Sequence, residues 1–157
     1  MTDQELLSGY VDVWWQAIND FTDLLEELDE ADWARPTDLP GWDVKAVASH
    51  IAHLESILAG NPEETVDVGQ PDHVTSVMGL YTEIGVVSRR DADPDAIINE
   101  IRASATARHT RLLADPPTDA GAKPDLVFGG VGWDWRTLLR NRPLDVWMHE
   151  QDVRRAV

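Results

Sequence analysis

The sequence contains no cysteine. That absence excludes disulfides, thiolate-bound metals and a cysteine nucleophile, so any thiol chemistry must use a thiol supplied by a small molecule. Positive charge is also scarce: 13 Lys+Arg stand against 29 Asp+Glu, a formal net charge of −16. No basic stripe exists to displace counterions from a phosphate backbone, which argues against nucleic acid and against an anionic membrane surface as partners. No run approaches the roughly 18 apolar residues of a spanning helix. The opening Met1-Thr2-Asp3-Gln4-Glu5 lacks both the basic start and the apolar core of a signal peptide. The expectation is a cytoplasmic protein. Strand alternation, a glycine-rich phosphate loop and internal repeats are missing as well.

What is present suits a globular chain. A 43% hydrophobic content over 157 residues fits one domain with a single core, spanning 1–157. Over residues 4 to 29, Leu6, Leu7, Tyr10, Val13, Trp14, Ala17, Ile18, Phe21, Leu24, Leu25 and Leu28 repeat at three-then-four spacing, which predicts a long amphipathic helix. Pro36, Pro40 and Gly41 keep the next stretch non-helical. Asp43 is an N-cap for a second helix, Val44 to Ala59, that ends at Gly60 and turns Val47, His50, Ile51, Leu54 and Leu58 inward. A third helix is expected from His73 to Arg90, weakened by Gly79 and Gly85. A fourth starts at Asp93-Pro94 and stops near Asp115-Pro116-Pro117. Residues 115 to 133 make an unusually long loop, of the kind that covers a site or moves. Asp134 caps a helix over Trp135 to Asn141, and Pro143 is expected to kink or interrupt it before the final helical segment. The fold class is therefore all-α: four principal helices, one extra and at least one long crossover. The last helix reaches Val157 without a cap or polar tail, so the chain is expected to be the N-terminal part of a longer protein.

One constellation carries chemistry. In a helical tail, Asp145 and His149 lie four residues apart on one face, with Cβ atoms about 6 Å apart, close enough to grip one ion. Asp152 lies three residues further along that face. A divalent metal needs another protein ligand, and His50 on the apolar second helix is the best candidate, with His53 able to substitute for it. His109 either faces a site or belongs, with Arg108 and Arg111, to the cationic last turn of its helix. Without cysteine the donor set is imidazole and carboxylate, which suits zinc, nickel, cobalt, iron or manganese. Three protein ligands and an open position are the catalytic pattern, since structural zinc is closed by four.

Two segments also carry a family resemblance. Pro40-Gly41-Trp42-Asp43-Val44, followed by His50, resembles the Pro-Gly-Trp-x-Val…His segment of the DinB-like superfamily, in particular of the N-terminal domain of mycothiol-dependent maleylpyruvate isomerases. Asp145-x-x-x-His149-x-x-Asp152 is similar to the carboxylate-x-x-x-His-x-x-Asp segment of the same family. The resemblance implies a DinB-like four-helix bundle holding a divalent metal, usually zinc, on His50, Asp145 and His149. It also implies a mycothiol-like thiol as cosubstrate. The characterised isomerases have glutamate where this chain has the shorter Asp145, and they carry a further C-terminal domain.

On this reading the chain is a thiol-dependent S-transferase- or isomerase-like enzyme acting on a small electrophile. Asp152 is an orienting carboxylate behind the metal, unless it pairs with Arg155 on its own helix. Arg142 binds a substrate or thiol carboxylate, or is an exposed arginine. Trp42 and Trp147 wall the thiol pocket, or pack in the core. A metal-dependent hydrolase and a non-catalytic metal-binding or dimerising bundle remain the alternatives. The sequence leaves open a homodimer, the identity of the electrophile and the choice among zinc, nickel and cobalt.

Overall fold

A computed structural model describes residues 1–157, and every regular element in it is helical. Helix α1 (Asp3–Glu27) begins in a capping box: the Thr2 hydroxyl accepts from the Glu5 backbone N–H at 3.1 Å while the Glu5 carboxylate accepts from Thr2 N–H at 2.8 Å. A 3₁₀ turn over Glu30–Ala34 follows and buries Trp33. Helices α2 (Val44–Leu58), α3 (Val77–Ser88), α4 (Pro94–Ala114) and α5 (Trp135–Ala156) complete the chain.

Packing arranges four of these helices in a ring. Helix α1 lies against α5 and α4, and α2 lies against the same two, so α1 and α2 occupy opposite corners although they are consecutive in sequence. Helix α3 covers the outer side of α2. That placement leaves α2 buried on every side except at Lys45, where the sequence pattern predicts only one inward face. The main core joins Trp14, Ile18, Phe21 and Leu25 of α1 to Val47 and Ile51 of α2, Ile97 and Ile101 of α4, and Val146 and Val153 of α5. Apolar burial of this kind is the dominant favourable term for a bundle.

Three expectations need correction. Helix α3 starts at Val77, not His73, because the Ser76 hydroxyl accepts from Gly79 N–H at 2.9 Å and caps it there. Its apolar residues are not its buried ones: Val77 and Met78 face solvent, Tyr81, Ile84 and Val87 are half-buried, and only Glu83 and Gly85 are fully covered. Helix α5 runs unbroken through Pro143. The Leu139 carbonyl loses one intrahelical donor there, and packing of α5 against α1 and α2 holds the helix together regardless. Finally, the 115–133 loop is tied down. Ala120 N–H donates to the Asp3 carboxylate at 2.8 Å, and Phe128 fills a second small core with Leu54, Leu58 and Leu138.

Candidate metal centre

The site begins with a turn. In Leu39-Pro40-Gly41-Trp42 the Trp42 N–H donates to the Leu39 carbonyl at 3.1 Å, and Gly41 takes φ +77°. Proline second and a left-handed glycine third is the type II pattern. The Trp42 carbonyl accepts from Thr37 N–H at 3.2 Å and from the Thr37 hydroxyl at 2.7 Å, so the turn is fastened to the strand-like stretch before it. Asp43 then caps α2 through Ala46 N–H at 2.8 Å. The result places the Trp42 ring 5.2 Å from that of His50 and 6.2 Å from that of His149.

Helices α2 and α5 bring the nominated residues together. His50 Nε2 lies 3.3 Å from Asp145 Oδ2, and His149 Nε2 lies 3.3 Å from Asp145 Oδ1. One ligand atom from each of the three lies within 4.8 Å of the others, and no further His, Asp or Glu belongs to the group. The trio forms one wall of a cleft of about 350 Å³, with Leu39, Trp42, His73 and Glu83 among its other lining residues.

The surroundings of the trio fit a cation. Asp152 Oδ2 stands 3.0 Å from His149 Nδ1. A carboxylate there fixes the neutral imidazole with its proton on Nδ1 and its lone pair on Nε2, the nitrogen that faces Asp145. The His50 Nδ1 is buried without a protein partner. Burial pushes the His50 imidazole down, against the pull of Asp145, toward the neutral form a ligand needs. Burial opposes charge on Asp145, yet the Arg142 guanidinium and the bonds from His149 and His50 hold its carboxyl well below the usual carboxylate range. Burial likewise opposes charge on His149, but Asp145 and Asp152 together raise it.

Other sequence candidates fall elsewhere. Arg142 is neither exposed nor free for a substrate. It is fully buried, donating from Nε and Nη2 to Glu55 Oε1 at 3.1 and 2.8 Å and from Nη1 to Asp145 Oδ2 at 3.0 Å. Trp147 does not reach the cleft. Two positions before His149 is about 200° round a helix, and the indole is 56% exposed in an outer groove between α1 and α5 with Val13 and Leu144. His53 points toward Tyr81 of α3, ring centres 5.3 Å apart, rather than toward Asp145. His109 stacks on Trp15 at 4.0 Å. Arg155 pairs with Asp38 at 2.6 Å, leaving Asp152 to His149. The 115–133 loop contributes nothing to the cleft.

Three residues of this region escape sequence reasoning: Glu55, which accepts from Arg142 and from Trp14 Nε1–H at 3.2 Å, and the pair His73 and Glu83. A signal existed for the two acids. Each is the one carboxylate of its helix, and buried acids are rare unless paired.

The family model described as "Mycothiol maleylpyruvate isomerase N-terminal domain" matches residues 14–154. Two solved structures share the fold, a mycothiol-dependent maleylpyruvate isomerase and a histidine-to-alanine mutant described by the same name. Both are 20% identical to this chain, with TM-scores of 0.62 and 0.65, and both cover 98% of it. The chain spans 63% of the length of those relatives. No curated protein matches.

Proposed function

The chain belongs to the mycothiol maleylpyruvate isomerase N-terminal domain family, and on that premise we propose that it binds one divalent cation, zinc first, through His50, Asp145 and His149. In this reading it uses the site to activate a mycothiol-like thiol for transfer to, or cis–trans isomerisation of, a small electrophile. The observation that carries the reading is the convergence of two imidazole nitrogens and one carboxylate, from helices distant in sequence, at one wall of a cleft, with no fourth His, Asp or Glu in the group. A bound cation would supply Lewis acidity that favours the thiolate over the thiol near neutral pH.

The chain's own residues do the positioning. Asp152 keeps the His149 lone pair on Nε2. Arg142 holds one Asp145 oxygen from behind, which fixes the plane of a carboxylate one methylene shorter than the family's glutamate. Trp42 packs its ring beside both histidine rings, 5.2 Å from that of His50 and 6.2 Å from that of His149. The chemistry of the cosubstrate comes from the family's description.

Elemental analysis and cobalt titration test the reading. The wild-type protein should take up about one equivalent of cobalt, and His149→Ala should lower that affinity by at least about 100-fold, the upper end of what losing a partner that merely orients a ligand costs. Mycothiol should then perturb the visible cobalt spectrum. Unchanged metal content in the alanine variant refutes the ligand assignment; ester hydrolysis without thiol would instead support a hydrolase.

A further inference from the structure

A second imidazole–carboxylate pair lines the same cleft. His73 Nε2 lies 3.0 Å from Glu83 Oε2, and the same oxygen accepts from Trp42 Nε1–H at 2.8 Å. The indole can only donate, so it pins the carboxylate in place. A carboxylate at Nε2 holds the proton on that nitrogen and leaves the lone pair of the neutral ring on Nδ1, which makes no hydrogen bond of its own. Among the three cleft histidines His73 has the most open side chain, 20% exposed against 5% for His50 and 13% for His149. It is also placed with care: a Cβ on Gly41 would stand 2.2 Å from its Nδ1, so the ring lies directly on the turn that carries Trp42. An oriented imidazole backed by a buried carboxylate, with one nitrogen unengaged, is the arrangement of a general base.

We propose that His73, oriented by Glu83, is the proton acceptor of this cleft, taking the proton of the entering thiol and returning it when the thiol leaves. The inference rests on the thiol-activation reading above. The S–H bond breaks with its electron pair retained on sulfur, and an N–H bond forms at His73 Nδ1. The imidazolium so produced keeps its Nε2–H on the Glu83 carboxylate, and release of the thiol reverses the transfer, so the cycle needs no external acid or base. The other titratable groups of the cleft are His50 of α2 and Asp145 and His149 of α5. Behind His73 lie Asp43, Lys45 and Arg90, in a neighbouring pocket that shares the Trp42, His73 and Glu83 wall.

Proton counting separates this role from a structural one. Mycothiol is titrated calorimetrically into cobalt-loaded protein in buffers of different ionisation enthalpy, which gives the protons released per thiol bound. The wild-type protein should release close to none, whereas His73→Gln should release about one. Glu83→Gln keeps the imidazole but removes the carboxylate that orients it, and should release a number of protons between those of the wild type and His73→Gln. Cobalt uptake should be the same in all three proteins. Equal proton release by wild type and both variants overturns the proposal while leaving the metal reading intact. Failure of the wild-type protein to bind cobalt or thiol overturns both, and the cobalt titration shows which reading failed first.

Discussion

Asp145 and His149 were legible because a helix converts spacing into direction: four residues bring two side chains to one face, and two residues send Trp147 to the other. Their contact, and that of Asp152 with His149, follows from local geometry alone. The nature of Arg142 was not legible, since its burial depends on Glu55, 87 positions earlier. His73 and Glu83 were hidden for a similar reason, being joined through a turn and a tryptophan rather than a periodic pattern. A different histidine gives a prediction at this scale. His53 is completely buried with neither ring nitrogen hydrogen-bonded. Burial pushes its pKa from 6.5 down to about 4, with Glu64 opposing and Arg89 adding to the shift. The unfolded chain therefore binds a proton that the folded chain refuses between those values. Stability contributed by the neutral ring is full above pH 6.5 and is lost as pH falls toward 4, by roughly 2–3 kcal/mol. His53→Leu should flatten that part of the stability profile in urea titrations; an unchanged slope would show that other groups govern it.

At the scale of elements, periodicity and caps located α1, α2 and α4 within two residues at most ends, because those helices carry long stripes or clear starts at Asp43 and Asp93. Helix α3 was misread because its apolar residues are not its buried ones: it meets α2 through Gly85, not through a stripe. A Cβ on Gly85 would stand 2.4 Å from the His53 Cβ. Alanine in a helix gains about 1 kcal/mol over glycine, but overpacking at a contact this close to the backbone costs typically 1–3 kcal/mol. Gly85→Ala should therefore be net destabilising, and a raised urea midpoint would contradict the close approach. Pro143 does not interrupt its helix, since a local rule about one hydrogen bond is overridden by the packing of a 22-residue helix.

For the whole molecule, all-α architecture and four principal helices could be read from the sequence, but the ring order could not, as it is a matter of which faces meet. That order runs a charged connection through the apolar core. Glu55 of α2 grips Arg142 of α5 with both fully buried, and Arg142 in turn grips Asp145 at the cleft. Arg108 of α4 also approaches, its Nη1 3.9 Å from Glu55 Oε2, and burial lowers its pKa to about 10. Removing one member of a buried pair leaves an uncompensated charge and costs about 3–5 kcal/mol, whereas replacing both with apolar groups is often neutral. Glu55→Gln should lower stability on that scale, and the double replacement Glu55→Leu, Arg142→Met should recover only the share due to the unpaired Arg142, because Arg108 and Trp14 Nε1–H still lose their acceptor. A double variant no more stable than the single one would mean that the pair is not the source of the loss.

The diagonal placement of consecutive helices has one more consequence. His50 and Asp145 are separated by 95 positions and meet only when the fifth helix settles between the first and second. A nascent polypeptide halted before Asp145 would own most of the bundle and yet offer an ion only one of the three proposed ligands. Cation capture at the proposed site would thereby be a timestamp, recording that the fifth helix has found its slot.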